Sequence, residues 1–134
     1  MTASNVWTLR ALSVLRIMAA LLFMEHGTMK LLGFPVGAPP AAMTPAWYAG
    51  FFELIGGALL TIGLFSRPVA FILAGMCAVA YFMVHAPRGF FPLLNGGELA
   101  VLYCFVFRFL SFSGPGPWSV DAILRRSGKL PAWV

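Results

Sequence analysis

The sequence predicts an all-α fold, an integral membrane four-helix bundle that forms a single domain over residues 1–134 with both termini in the cytoplasm. Three observations predict it: the composition, four long apolar runs and the placement of the basic residues. Hydrophobic residues make up 60% of the chain and charged residues 10%, whereas a typical globular domain is roughly 25% charged. A chain of 134 residues cannot hide so much apolar surface from water. The composition therefore excludes a soluble monomer, a disordered protein and a nucleic-acid-binding protein, and it makes the lipid bilayer the expected environment.

Four segments are apolar enough to cross a bilayer, since a spanning helix needs about 20 mostly apolar residues. The predicted spans cover about residues 10–32, 46–65, 69–86 and 95–112. Clusters of proline and glycine separate them. The first run carries Arg16 and continues past Met29, which is longer than the apolar part of a signal peptide, so we expect it to be retained as a membrane helix.

The basic residues predict the orientation of these spans. With four crossings, seven of the nine lie on the side of both termini and two, Lys30 and Arg88, lie on the other. The seven are Arg10, Arg16, Arg67, Arg108, Arg125, Arg126 and Lys129. Because cytoplasmic segments carry the excess of Lys and Arg, both termini are predicted to be cytoplasmic.

Residues 113–134 then form a cytoplasmic tail. Its basic residues stand beside Ile123, Leu124 and Trp133, a pattern typical of a short amphipathic segment at the inner leaflet. Arg16 and Arg108 lie about 7–10 Å inside the cytoplasmic helix ends at 1.5 Å per residue. We expect both to extend to the lipid headgroups, and the alternative is a buried link between the first and fourth helices.

The acidic residues predict where a functional site lies. Three of the four acids, Glu25, Glu53 and Glu98, fall within predicted spans, and the topology places all three in the extracytoplasmic half. His26 and His85 fall on the same side. An ionisable residue inside a membrane is costly and usually faces the interior of the bundle, so it predicts function.

We therefore predict a shared polar site. Glu25 and Glu53 are its candidate catalytic, proton-exchanging residues, and the candidate ligand-binding residues are His26, Lys30, Tyr81, His85 and Glu98. Glu98 has an alternative role in a helix cap, with Asn95 as N-cap and Glu98 at N3. Cys77 and Cys104 stand alone in apolar runs and are expected to be unreactive buried thiols.

These residues also carry a family resemblance, over about residues 15–121. The motifs are Phe23-Met-Glu-His-Gly27, Phe52-Glu-Leu-Ile-Gly-Gly57, Gly63-Leu-Phe-Ser-Arg67, Asn95-Gly-Gly-Glu98 and Ser119-Val-Asp121. In this order and spacing the chain resembles the DoxX family of small four-helix bacterial membrane proteins. The resemblance implies a multi-pass protein of the bacterial inner membrane, and members of the family have been linked to quinone-dependent oxidation as membrane subunits.

Three functions follow as hypotheses. The first is a membrane subunit of a quinone-linked oxidoreductase, in which the carboxylates and histidines exchange protons with a bound quinone. The chain has neither a dinucleotide-binding motif nor a cysteine cluster, so electrons would pass through a redox partner protein or a small substrate. The second is metal binding by His26, His85, Glu53 and Glu98, although no preset chelating pair is present. The third is a non-catalytic assembly or scaffold protein, and self-association into a homo-oligomer is compatible with each.

Overall fold

The computed structural model describes residues 3–131, and this part of the chain is helical without any β-strand. The all-α prediction is therefore confirmed. The helices are α1 (Ala3–Leu32), α2 (Pro45–Ile62), α3 (Ser66–Ala80), α4 (Pro92–Asn95), α5 (Glu98–Ser113) and α6 (Val120–Arg126). A π-helical turn over Tyr81–His85 and a 3-10 turn over Ala86–Arg88 continue the direction of α3.

Within the described residues, three helical segments are long and apolar enough to cross a membrane: Asn5–Leu32, Pro45–Ile62 and Ser66–Arg88. They match the first three predicted spans to within a few residues, except that α1 begins earlier. The fourth predicted span corresponds to α5, which has only 16 residues and a length of about 24 Å. It begins three residues later than predicted because Gly96 adopts a left-handed conformation (φ 72°) and ends α4 at Asn95.

The four long helices share one apolar core. Phe23 of α1 contacts the rings of Tyr103 and Phe107 of α5 edge-on, with ring centroids 5.0 and 4.9 Å apart. Leu60 of α2 and Leu73 of α3 complete the buried cluster. Most other large apolar side chains lie on the outer surface, as expected for helices whose outward faces contact lipid.

Polar contacts at one end of the molecule join α1 to the chain that follows α5. Arg16 has no exposed surface, and its guanidinium donates to the carbonyls of Pro115 and Trp118, each at 2.7 Å, and of Thr61 at 3.4 Å. The prediction that Arg16 extends to lipid headgroups is therefore wrong, because three backbone carbonyls bind it inside the protein. Arg108 is exposed and stacks on Phe112, so its contact with lipid stays a prediction.

Asp121 lies in the same buried group. Its carboxylate accepts hydrogen bonds at 2.8 Å from the backbone N–H groups of Phe65 and Ser66, at the first turn of α3. A carboxylate is favourable there because the first N–H groups of a helix lack partners and carry partial positive charge. The first part of the predicted tail thus packs against the helix ends, whereas Trp133 lies outside the described residues.

Gly27 sets how closely α1 and α2 approach each other. A Cβ atom at this position would lie 2.8 Å from the Cα of Leu54 and 2.8 Å from the carbonyl oxygen of Gly50, both backbone atoms of α2. Because backbone cannot move aside as a side chain can, we expect Gly27→Ala to lower the free energy of unfolding by about 1–2 kcal/mol. Thermal unfolding of the purified protein in detergent measures the loss.

Gly75→Ala is the matched control for that prediction. Gly75 lies on α3, and a Cβ atom there would meet nothing within 4 Å. Alanine is a better helix former than glycine by up to about 1 kcal/mol, so this variant should be unchanged or slightly more stable. Equal stability of the two variants would show that α1 and α2 can separate at Gly27 without cost.

Candidate functional site

A cavity of about 270 Å³ lies between α1, α2, α3 and α5, at the end of the molecule away from Arg16. Its walls are mainly apolar, from Phe23, Met76, Leu99 and Tyr103 with three alanines. The polar side chains that line it are His26, Lys30, Glu53 and His85, together with the thiol of Cys77. An apolar pocket with a few convergent polar groups is the usual form of a small-molecule binding site.

The central feature of the cavity is an ion pair between two helices. The Nζ of Lys30 on α1 lies 2.5 Å from the Oε1 of Glu53 on α2. The Glu53 residue is only 7% exposed, and its second oxygen, Oε2, is buried and has no hydrogen-bond partner within residues 3–131. Oε1 therefore accepts a hydrogen bond from Lys30, and Oε2 can accept one from a ligand or a water molecule.

His85 enters the cavity from the π-helical turn. Its Nδ1 lies 3.2 Å from the carbonyl oxygen of Asn95, and its ring stacks on that of Tyr81 with centroids 6.4 Å apart. Asn95 is itself fixed, because its side chain donates to the carbonyl of Gly89 and accepts from the N–H of Gly97, both at 2.8 Å. Single π turns in a helix are rare and often occur at functional sites.

The predicted residues fall into three groups. His26, Lys30, Glu53 and His85 line the cavity. Tyr81 is not among the residues that line the cavity, but its ring stacks on that of His85. Its hydroxyl accepts a 3.5 Å hydrogen bond from Asn95 Nδ2. The side chains of Glu25 and Glu98 are exposed and are not among the residues that line the cavity.

The predicted cap at Asn95 is wrong in register. Asn95 ends α4, and its side-chain oxygen accepts a hydrogen bond from the N–H of Gly97. The N-cap residue of α5 is Gly97, which has no side chain to form a cap. Glu98 is therefore the first residue of α5 rather than its third. A carboxylate in this first turn is still favourable for the helix dipole.

The sequence analysis does not predict that Tyr103 and Cys77 line the cavity. It also does not predict that Asn95 holds His85 in place. Tyr103 contacts His26 edge-on, with ring centroids 6.2 Å apart, and Cys77 is buried against the cavity as a free thiol. For Asn95 the sequence pattern predicts only a helix cap. Tyr103 shares the buried face of α5 with Phe107 and Leu110, a spacing of four and seven residues that a helical periodicity search could have found.

Metal coordination has little support in this arrangement. The described residues contain no group of three or more His, Cys, Asp or Glu side chains that could hold a metal ion. The cavity does bring together His26, His85 and Glu53, but Lys30 occupies one carboxylate oxygen.

Comparison with known proteins identifies relatives of this chain. A model of the DoxX family matches residues 11–86. The chain is 46% identical over 117 residues to an uncharacterized protein of Haemophilus influenzae, and the match covers 82% of this chain and 87% of the relative. A second uncharacterized protein of that organism is 28% identical over 137 residues, covering 92% and 89%. No solved structure matches the chain significantly.

Proposed function

Because the chain belongs to the DoxX family, we propose that this membrane protein is the membrane subunit of a quinone-linked oxidoreductase in the bacterial inner membrane. The observation that carries the proposal is the cavity, in which a buried ion pair and an imidazole face aromatic and aliphatic walls. A bound quinone supplies two-electron chemistry coupled to the uptake or release of protons. The side chains of this cavity supply the proton-exchanging groups.

The size and lining of the cavity fit a single substituted ring. An apolar cavity of about 150 Å³ accepts one benzene molecule, so a cavity of about 270 Å³ has room for a ring with small substituents. Phe23, Leu99 and Tyr103 offer apolar surface to its faces. Lys30, Glu53 and His85 offer hydrogen-bonding groups to its oxygens.

In this proposal each polar residue has a separate task. Lys30 holds the carboxylate of Glu53 in place, and Glu53 and His85 accept protons from the ligand or return them. His26 packs against Tyr103 at the cavity wall. Glu25 is exposed and does not line the cavity, and in this proposal it exchanges protons between the cavity and the outside. Glu98 lies at the first turn of α5 with an exposed side chain. It is therefore not assigned a direct contact with the ligand.

The arrangement in the membrane is part of the proposal. Four crossings place both termini in the cytoplasm and the cavity in the extracytoplasmic half. The excess of basic residues on the Arg16 side supports this orientation, and Arg108, Arg126 and Lys129 are exposed there. The short α5 can cross because a bilayer thins locally around a short helix at modest cost. A redox partner protein supplies or accepts the electrons.

The test is Glu53→Gln, which keeps the shape of the side chain and removes its ability to exchange a proton. We expect quinone-linked turnover to fall at least about tenfold, because a positioned acid or base contributes at least that much to proton transfer. Turnover is measured in membrane vesicles from cells in which the variant replaces the natural protein. Arg88→Gln introduces the same residue at an exposed position outside the cavity and should leave turnover unchanged.

A scaffold function is the second candidate, and the Lys30–Glu53 pair is the observation that favours it. A buried ion pair between α1 and α2 can serve to fix the register of the helices. In that case Glu53→Gln lowers stability or assembly, and turnover per folded molecule does not change. That result would contradict the oxidoreductase proposal.

A further inference from the structure

The hydrogen-bonding atoms left free in the cavity indicate which form of a ligand it prefers. The carboxylate of Glu53 is held beside the ammonium of Lys30 at 2.5 Å, a contact that favours the ionised form of both groups. An ionised carboxylate only accepts hydrogen bonds. Since Oε2 is buried without a partner in the described residues, this atom requires a donor.

His85 presents a second acceptor. The carbonyl oxygen of Asn95 cannot donate, so the 3.2 Å contact with Nδ1 requires the hydrogen to be on Nδ1. In the neutral imidazole the other nitrogen, Nε2, is then an acceptor. The ring lines the cavity, and within residues 3–131 Nε2 has no hydrogen-bond partner.

We propose, resting on the proposed function, that the cavity preferentially binds the hydroxyl-bearing hydroquinone, with Glu53 Oε2 and His85 Nε2 as acceptors for its O–H groups. The oxygens of a quinone only accept hydrogen bonds, so a bound quinone leaves Oε2 of Glu53 unsatisfied. A hydroquinone oxygen both donates and accepts. It therefore satisfies these two acceptors and can still receive hydrogen bonds from other groups that face the cavity.

Those other groups do not reverse the preference. Lys30, Tyr103 and Cys77 line the cavity and carry N–H, O–H or S–H donors, and His26 can donate from one ring nitrogen. A donor can bond to a hydroxyl oxygen as well as to a carbonyl oxygen. The difference between the two ligand forms therefore arises at the acceptor atoms, where only the hydroquinone supplies hydrogen.

The experiment compares binding of a short-chain alkyl benzoquinone, its hydroquinone and the dimethyl ether of that hydroquinone to the purified full-length protein. Binding is measured without oxygen by quenching of tryptophan fluorescence. We expect the hydroquinone to bind about 10- to 100-fold more tightly than the quinone or the ether, the range expected when a buried acceptor is left unpaired. This comparison uses the natural sequence and does not depend on the folding of a variant.

Glu53→Gln assigns the effect to one residue, because the amide has an N–H₂ group that donates. In this variant we expect the preference for the hydroquinone to fall severalfold, to the part that His85 Nε2 alone supplies, whereas Arg88→Gln should keep the ratio of the natural protein. Tighter or equal binding of the quinone by the natural protein would overturn the inference and leave the proposed function standing. Binding of none of the three compounds would overturn both. An undiminished preference in folded Glu53→Gln would exclude Glu53 as an acceptor.

Discussion

Arg16→Gln is expected to lower the free energy of unfolding by about 3–5 kcal/mol, the cost of removing one partner from a buried charged group. Arg16 is fully buried and donates to carbonyls that lie 99 and 102 residues further along the chain. The variant leaves those carbonyls without donors and removes the positive charge beside the buried carboxylate of Asp121. Such a loss is a large part of the roughly 5–15 kcal/mol by which proteins are stable. Unfolding of the purified protein in detergent, followed by circular dichroism, measures it.

Two variants make the Arg16 prediction specific. Arg108→Gln removes an exposed arginine of α5 and should cost less than about 1 kcal/mol, the value of a surface contact with an aromatic ring. Arg16→Lys keeps the charge but loses the planar fork that reaches two carbonyls together, so it should fall between the other two variants. If Arg16→Gln proved as stable as Arg108→Gln, the contacts with Pro115 and Trp118 would have no structural role.

The helices were predictable because their signals are local. Runs of apolar residues ended by proline or glycine predicted the three helical segments that are long and apolar enough to cross a membrane, to within a few residues at most of their ends. The partners of Arg16 were not predictable, since they are backbone carbonyls from the end of α2 and from the loop after α5. A single sequence does not show which loop folds back onto which helix.

The same distinction applies within the cavity. Depth along the helices predicted that Lys30, Glu53 and His85 share one end of the molecule, and all three line one cavity. Glu25 and Glu98 each lie five residues before a side chain that lines the cavity, Lys30 or Tyr103. Five residues turn a helix by about 500°, which leaves these acids about 140° away from the inward face. Their exposure therefore follows from helical geometry that the sequence already contained.

The π-helical turn was the least predictable part of the site. Cys77, Tyr81 and His85 are spaced four residues apart and would share one face of a regular helix, but the helix widens over Tyr81–His85. Cys77 and His85 face the cavity, and Tyr81 packs beside the His85 ring. This change depends on contacts with Asn95 from the following segment, so local sequence does not determine it.

Lys30→Met is expected to lower the free energy of unfolding by about 3 kcal/mol. The variant leaves the nearly buried carboxylate of Glu53 without its counter-charge, which costs about 3–5 kcal/mol for a fully buried pair. We expect the lower end of this range because the Lys30 side chain is 26% exposed and water screens part of the interaction. Detergent-solubilised protein unfolded by heat or by added denaturing detergent provides the measurement.

The double variant Lys30→Met/Glu53→Gln separates the structural role of the pair from its chemical role. Neither position then carries a charge, so the double variant should recover most of the stability lost in Lys30→Met, and the cycle should give a favourable interaction between the two residues. If the pair serves only to fix helix register, recovered stability should also restore the cellular function. If Glu53 accepts a proton from a bound ring, the double variant stays folded and inactive, because no carboxylate remains at Oε2 to accept it. A double variant less stable than Lys30→Met would contradict the ion pair as the source of the coupling.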